Sequence, residues 1–350
     1  MSNIIEIPLI AKNGNNFKYE QTEEIMTLLF EIDRLYSNLE VKPFNLVYEY
    51  ESLSTCSMDN GDTTLPDTLR LLEKGRVEKK KENTILNTLN ILRLGLLDNI
   101  TINKEGVITL WRYLTRNALS NRFLGLNQQG YRVTPVYIGK VDTIEYIPPN
   151  ANKVNDLMED LYYYVNNIDE NPIIKAIIFH FYFVYVHPFC DGNGRTSRLL
   201  LNKLLIDLGL SKFRYISITS EVKKDTKNYN SILKDCENDK YNILTPFIVF
   251  YLNKIKLVLQ NLNDGVYIKG IDTNIERSLA LISIEKFLKF THHNSTEIEL
   301  LQYLNTNGFS LSKKECKEII IEGLNLGTIL KNSNVQGNRY CYNFNRRGNL

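Results

Sequence analysis

His187-Pro188-Phe189-Cys190-Asp191-Gly192-Asn193-Gly194-Arg195-Thr196-Ser197-Arg198 is the stretch from which the rest of this chain is read. Residues 173–186 before it are strongly apolar and read as a buried helix that delivers His187 to its end. After it, Leu199, Leu200, Leu201, Leu204 and Leu205 continue at helical spacing until Gly209 stops the pattern. The stretch is therefore a helix–loop–helix corner. Asp191-Gly192-Asn193-Gly194 can take the positive φ values that turn successive backbone N–H groups toward one point, beside the positive end of the second helix. Arg195 and Arg198 leave the first helical turn on one face, where their guanidinium forks suit phosphate oxygens. Cations at a helix N-terminus are unfavourable unless an anion compensates them, so their placement itself argues for a ligand. Asp191 supplies a hard oxygen suited to magnesium, and His187 is the only group of the stretch whose unperturbed pKa lies near neutrality, so it could take a proton from an attacking hydroxyl. A lone histidine after an apolar helix is commonly structural, which is our reading of His180. The combination at the corner implies phosphoryl or nucleotidyl transfer.

At every specified position the stretch resembles the His-Pro-Phe-x-Asp-Gly-Asn-Gly-Arg-x-x-Arg signature of Fic-domain proteins. The resemblance implies a mainly α fold: a helical core carrying a β-hairpin flap, spanning about residues 50–260. It also implies transfer of AMP from Mg-ATP to a hydroxyl of a target protein. By position His187 would be the catalytic base, Phe189 a buried anchor for the loop and Asp191 the Mg2+ ligand. Gly192, Asn193 and Gly194 would cradle the α- and β-phosphates, with Arg195 and Arg198 on the terminal phosphates. Family members place an aromatic beside the adenine in the helix after the signature, for which Tyr229 is the nearest candidate. Relatives with lysine at the position of Gly194 can turn the nucleotide toward kinase chemistry, so glycine points to AMP transfer.

Two further segments gain meaning from the resemblance. Residues 51–62 are polar, contain turn residues and by themselves read as a loop with a helix cap. Many Fic proteins carry upstream an inhibitory Ser/Thr-x-x-x-Glu-Gly/Asn segment whose glutamate pairs with the second signature arginine. Thr55-Cys56-Ser57-Met58-Asp59-Asn60 resembles it with aspartate in the glutamate's place, one methylene shorter and expected to reach Arg198 less well. From Gly130 the period changes: residues 131–139 and 143–149 read as two short strands. The family's flap lies here, pairing with the target by strand addition; we assign it to about residues 134–146, including Thr134, Pro135, Val136, Tyr137 and Ile138.

The composition, 43% hydrophobic and 23% charged over 350 residues, is that of an ordinary globular chain able to form two or three domains. A formal net charge of +2 gives no reason to expect a polyanion as main partner. Five scattered cysteines without paired spacing argue for a reducing compartment, with Cys190 a filler at the signature's variable position. The first residues lack a basic and then apolar leader pattern, and the run 173–189 carries Lys175, His180 and His187. The expectation is therefore a cytoplasmic protein with no membrane partner.

Along the chain, helices are expected at 21–40, 65–74, 83–97, 102–119, 152–166, 172–186, 194–208, 220–236 and 245–259. The short charge run 79–82 reads as a solvated face, and Trp111 as packing. A linker at 261–272 leads to helices at 276–291, 295–306 and 312–323 and then a small hairpin around a turn at 334–338, an order that resembles a winged-helix-like α/β domain. His292 and His293 are expected to be helix-terminal surface residues. The domains read as 1–110 with the inhibitory segment, 111–262 as the catalytic core and 275–350 as the terminal domain. In 311–350 seven basic residues against three acidic give +4, which suits DNA or a protein-docking, dimerising surface; the mixing of Lys and Glu favours protein. The expected partners are ATP, a protein target with a hydroxyl side chain, the chain itself through auto-AMPylation, a second copy in a homodimer, and DNA through the terminal domain. The rival readings are transfer of UMP or phosphocholine, removal of AMP from a modified protein, and a nucleotide-sensing DNA-binding regulator.

Overall fold

Asn171 and Pro172 start the most apolar helix of the chain, and the architecture is arranged around it. The computed structural model describes residues 3–40, 47–60, 80–119, 130–140, 143–264, 273–291, 294–307, 309, 311–332 and 338–343. These fall into two compact units, the first holding the described residues up to 259 and the second those from 260 onward. In chain order the elements are β1 (Asn3–Ile10), β2 (Asn16–Gln21), α1 (Glu23–Asn38), α2 (Val47–Asn60), α3 (Lys80–Arg93), α4 (Lys104–Thr115), β3 (Ile138–Lys140), β4 (Thr143–Tyr146), α5 (Val154–Asn167), α6 (Pro172–Val186), α7 (Asn193–Asp207), α8 (Ile218–Lys223), α9 (Thr226–Asn238) and α10 (Thr245–Asn263). The second unit has α11 (Thr273–Thr291), β5 (Ser295–Thr296), α12 (Glu297–Thr306), α13 (Lys313–Asn325), β6 (Ile329–Asn332) and β7 (Arg339–Tyr342). The fold is mainly α, as the sequence implies.

Helix α6 is buried along its whole length, so it is apolar all round rather than on one stripe. The Asn171 side chain caps it by accepting from the Ile173 and Ile174 N–H groups at 2.9 and 3.3 Å, and Pro172 occupies the first turn where no N–H is needed. It ends at His187, whose φ of 53° is left-handed and whose N–H returns to the Phe183 carbonyl at 3.0 Å. Inside the helix, His180 Nε2 lies 2.7 Å from the Tyr251 hydroxyl of α10 and 3.2 Å from the Tyr229 hydroxyl of α9, a buried position consistent with the structural role read from its apolar context.

Several expectations are corrected. The N-terminal residues form an antiparallel β1–β2 hairpin that the helical reading passed over; it buries Phe17 edge-on against Phe181, Tyr182 and Tyr185 of α6 at 5.0–5.9 Å. Residues 51–60 are not a loop but the larger part of α2, because Glu51, Ser52 and Thr55 are polar yet buried with partners, and polarity alone misled the reading. Residues 131–137 are not strand: the first flap strand is only β3, since the Arg132 N–H is taken by the Pro188 carbonyl and Pro135 has no N–H for a ladder. The helix expected at 220–236 is broken into α8 and α9 at Lys224–Asp225, where Asp225 pairs with Lys254 at 2.9 Å. The helices expected at 83–97 and 102–119 are shorter, α3 and α4, with a 3-10 turn over Leu96–Asn99.

In the second unit β5, β7 and β6 form a three-stranded antiparallel sheet after and between the helices, and α12 and α13 each carry a capping box, Thr296 with Glu299 and Ser312 with Glu315. The expected helix at 65–74, the greater part of the linker, His292, His293 and most of the turn at 334–338 lie outside the described residues. No helix of the described residues is long and apolar enough to cross a membrane.

Burial pushes the pKa of His180 down to about 3, whereas an unfolded histidine titrates near 6.5. Between these values the unfolded chain binds a proton that the folded chain does not, so stability falls as pH falls through this window. Denaturant unfolding at pH 7.5 and pH 5 should show the wild type losing about 2 kcal/mol more than His180→Gln; equal losses would show that His180 does not titrate on unfolding.

Candidate functional site

The corner between α6 and α7 is held from beneath. Phe189 is fully buried and stacks on Trp111 of α4, with ring centroids 4.5 Å apart and planes 6° from parallel. The same indole N–H donates to the Asp191 carbonyl at 2.8 Å. Asn193 closes the loop on itself: its Oδ1 accepts from the Phe189 N–H at 2.9 Å and its Nδ2 donates to the Phe189 carbonyl at 2.7 Å. Gly192 caps α7 at φ +84°, and a Cβ there would stand 3.1 Å from Thr115 and 3.3 Å from Trp111, so both conformation and space require glycine. The positive-φ residues of the stretch are His187 and Gly192; Asn193 and Gly194 are already helical, so of the four residues able to turn the chain Gly192 is the one that does.

A second clamp comes from Arg132, which the strand reading gave no role. Its buried guanidinium donates from Nε to the His187 carbonyl at 2.7 Å and from Nη2 to the carbonyls of Pro149 at 2.6 Å and Val186 at 3.2 Å. The Val186 and His187 carbonyls end α6 without helical partners, and a cation beside them also suits the negative end of the helix. Arg132 thereby fixes the backbone from which His187 projects. His187 is half-buried, and its Nδ1 lies 3.2 Å from the Val184 carbonyl. With the proton on Nδ1 toward that oxygen, Nε2 is left as an acceptor. Burial pushes the imidazole down to about 4, against the opposing pull of the Val184 bond, so the ring is neutral at physiological pH.

Above the corner lies a cleft of about 510 Å³, lined by His187, Asp191, Gly194, Arg198, Tyr137 and Tyr229 among others. Of the flap residues named from the sequence, Tyr137 and Ile138 line it, whereas Thr134, Pro135 and Val136 are not among its lining residues. The flap strands are paired antiparallel, Gly139 opposite Ile144. Tyr229 borders the cleft but is itself buried in an aromatic cluster with Phe247, Phe250 and Tyr251.

Asp59, at the end of α2, reaches both signature arginines. Its Oδ1 accepts from Arg198 Nη2 at 2.7 Å and its Oδ2 from Arg195 Nε at 3.1 Å. The expectation that aspartate is too short to reach Arg198 well is therefore corrected: α2 approaches closely enough for the shorter side chain. Thr55, one turn earlier on the same face, adds its hydroxyl and carbonyl to Arg198 at 2.7 and 2.9 Å. Another turn back, Glu51 is buried and accepts from Ser217 and from Thr219, the latter at 2.5 Å, which ties α2 to α8. Burial acts to lower the Arg198 pKa, but Asp59 together with Tyr229 and Tyr251 outweighs it and the guanidinium is held above its ordinary value. A Cβ at Gly194 would come within 2.9 Å of both Arg198 Nη1 and Asp59 Oδ1, so glycine is what lets this pair lie against the helix start.

Asp191 has a half-exposed side chain; its Oδ1 accepts from the Gly192 N–H at 2.6 Å and from Arg195 Nη2 at 3.1 Å. Among the described residues no group of three or more His, Cys, Asp or Glu side chains could hold a metal. A magnesium ion at this corner would thus take Asp191 from the protein and its remaining ligands from phosphate oxygens and water, the usual pattern for that ion. The residues fit such an ion, and the corner as a whole can seat a polyphosphate beside a neutral imidazole.

Residues 102–205 match the Fic/DOC family. A protein adenylyltransferase Fic of Drosophila grimshawi is 25% identical over 162 residues, covering 42% of this chain and 32% of that protein. A probable protein adenylyltransferase of Aquifex aeolicus is 30% identical over 162 residues, covering 43% of this chain and 48% of that protein. The chain thus spans between a third and a half of the length of these curated relatives. Among solved structures, a Fic family protein from Desulfovibrio desulfuricans G20 superposes with a TM-score of 0.60 at 18% identity over 92% of this chain and 97% of that one. A Fic domain containing signaling protein from Bacteroides thetaiotaomicron gives 0.53 at 19% identity over 69% and 97%. The matched segment, residues 102–205, holds the pinned corner and both arginines and is a Fic/DOC-family domain, and the fold is shared with Fic-family structures.

Proposed function

We propose that the chain is a protein adenylyltransferase, transferring AMP from ATP to a Ser, Thr or Tyr hydroxyl of a protein, and that Asp59 restrains it. The observation that carries this reading is the pairing of one carboxylate with both arginines at the start of α7, next to a neutral histidine. The names of the curated relatives support the same activity.

In this reading the terminal phosphates take the place of the Asp59 carboxylate on Arg195 and Arg198, while the backbone at 192–194 and the positive end of α7 receive the inner phosphates. His187 Nε2 accepts the proton of the target hydroxyl, and the hydroxyl oxygen forms a bond to the α-phosphorus. The bond from that phosphorus to the bridging oxygen breaks, and pyrophosphate leaves. Asp191 would hold the magnesium that accompanies ATP, which when bound would neutralise charge on the departing pyrophosphate. The flap would hold the target by adding its segment as a strand, so that backbone rather than side chains sets the distance to His187. The second unit serves as a protein-docking surface, since α13 interleaves Lys313, Lys314 and Lys317 with Glu315, Glu318 and Glu322 instead of presenting one sign of charge.

Asp59 and the terminal phosphates compete for the same guanidinium groups, so removing the carboxylate frees the site. Breaking a pair whose acid is a quarter exposed is worth about 1–3 kcal/mol, or roughly 5–150-fold in apparent nucleotide affinity. Asp59→Ala should raise self-modification by ATP by a factor in that range, read by intact mass as addition of one AMP, with UTP and CDP-choline as comparison donors. Unchanged modification would reduce the segment to a scaffold. His187→Ala in the Asp59→Ala protein should retain ATP binding in calorimetry and lose about 10²–10⁴-fold in transfer rate; undiminished transfer would remove His187 from the base role. Because the neutral ring is the active form and burial depresses its pKa, transfer by the Asp59→Ala protein should stay near its maximum from pH 7 down to about pH 5.5, falling only below. A rate that halves near pH 6.5 would place an unshifted histidine in that role instead.

A further inference from the structure

Glu237 is a buried acid in the cleft for which the transfer step has no use. It lies two turns beyond Tyr229 on one face of α9, about 12 Å further along the axis at 1.5 Å per residue, and it lines the same cleft as His187 and Asp191. It is only 7% exposed, and its Oε1 has no hydrogen-bond partner. Buried polar atoms without partners are rare in folded proteins, and one that borders a cleft asks for a donor from whatever fills that cleft. The nearby cation is committed elsewhere: Lys12 Nζ donates to the Ile147 carbonyl at 2.9 Å and lies 4.2 Å over the Tyr146 ring.

Asp191, Gly194 and Arg198 line the cleft from the corner and the start of α7, whereas Leu233 and Glu237 line it from the second half of α9 and Ile138 from β3. A nucleoside triphosphate seated with its phosphates on the corner sends its base away from the arginines, toward apolar side chains that suit ring faces and an acid that suits a ring edge.

We propose that Glu237 is the base-specificity residue of the nucleotide site, accepting a hydrogen bond from the exocyclic amine of a base such as adenine. This rests on the nucleotidyl-transfer reading and deepens it by naming what the far part of the cleft selects. Burial pushes the carboxyl up to about 8, with Lys12 opposing only in part, so at neutral pH it carries a proton and also offers an O–H donor. A neutral carboxyl thus presents an acceptor and a donor side by side, the complement of an amine next to a ring nitrogen in adenine. A purine that lacks the exocyclic amine leaves the acceptor unpaired, and sites built to bond a donor reject ligands that lack it.

The test uses the full chain carrying Asp59→Ala and His187→Ala, which opens the site and stops turnover. Mg-ATP and the magnesium complex of purine riboside triphosphate, which lacks only the exocyclic amine, are titrated into it by calorimetry. ATP should bind about tenfold or more tightly than the des-amino nucleotide. Adding Glu237→Leu should reduce the difference to about twofold or less, while Glu237→Gln, which keeps an acceptor, should retain most of it. Equal binding of the two nucleotides by the parent protein overturns the assignment without any further variant, as does an undiminished preference in the Glu237→Leu protein. If the parent protein binds neither nucleotide, the nucleotidyl-transfer reading falls and this inference with it, whereas tight but indiscriminate binding removes only the role given to Glu237.

Discussion

Two guanidinium groups buried at the start of a helix are the condition that the rest of this site answers. Arg195 and Arg198 sit where the aligned peptide dipoles are already positive, and both are almost wholly withdrawn from water. Such an arrangement persists only with a counter-anion in place, because burying a charge without a partner costs more than most single contacts supply. In this protein the counter-anion is Asp59, brought in by α2, and Thr55 on the preceding turn takes up Arg198 donors that the carboxylate leaves over. The helix that supplies the anion is thereby tied to the helix that needs it.

On the proposed function that tie would give the site two alternative anionic occupants. A carboxylate and a phosphate present similar oxygen geometry to a guanidinium fork, so whichever is present satisfies the same buried donors. The remainder of the corner does not have to change for the exchange to occur. Trp111 and Asn193 hold the loop, and Arg132 holds the end of α6, through bonds that do not involve Asp59. On that reading, a rigid corner with an exchangeable anion would separate positioning of the imidazole from access to the arginines. The Glu51 bonds to Ser217 and Thr219 anchor α2 at its other end, so that movement of Asp59 need not carry the whole helix with it.

Much of this was legible in the residue order because it is local. The run from His187 to Arg198 encodes a helix end, a tight turn and a helix start within twelve residues, and Asn171-Pro172 marks the start of α6 through capping chemistry that acts over two or three residues. The amphipathic stripe of Ile25, Leu28 and Ile32 in α1 was readable for the same reason. Where the reading failed, the deciding partner was distant. The polar residues of α2 resemble a loop until Ser217, Thr219 and the arginines of α7 are set against them, more than a hundred residues away. Arg132 sits in a segment that alternates like a strand, and only the free carbonyls of α6, about fifty residues on, reveal why it is a buried arginine. The N-terminal hairpin gains its stability from Phe17 packing into aromatic rings of α6, again a contact across most of the unit.

Residue types and short spacings thus settle the chemistry on offer: an imidazole, a hard oxygen, two guanidinium forks and a turn that glycine alone can make. They also settle the helical class, since periodicity and capping act within a few residues. How far a side chain reaches is different, because it depends on the approach of the backbones that carry it. Aspartate at position 59 is one methylene shorter than glutamate, and whether that matters is fixed by how closely α2 packs against α7 and by the absence of a Cβ at Gly194. That Glu237 comes to line the same cleft as His187 is likewise a product of helices folding back on one another, which no pattern along a single segment contains.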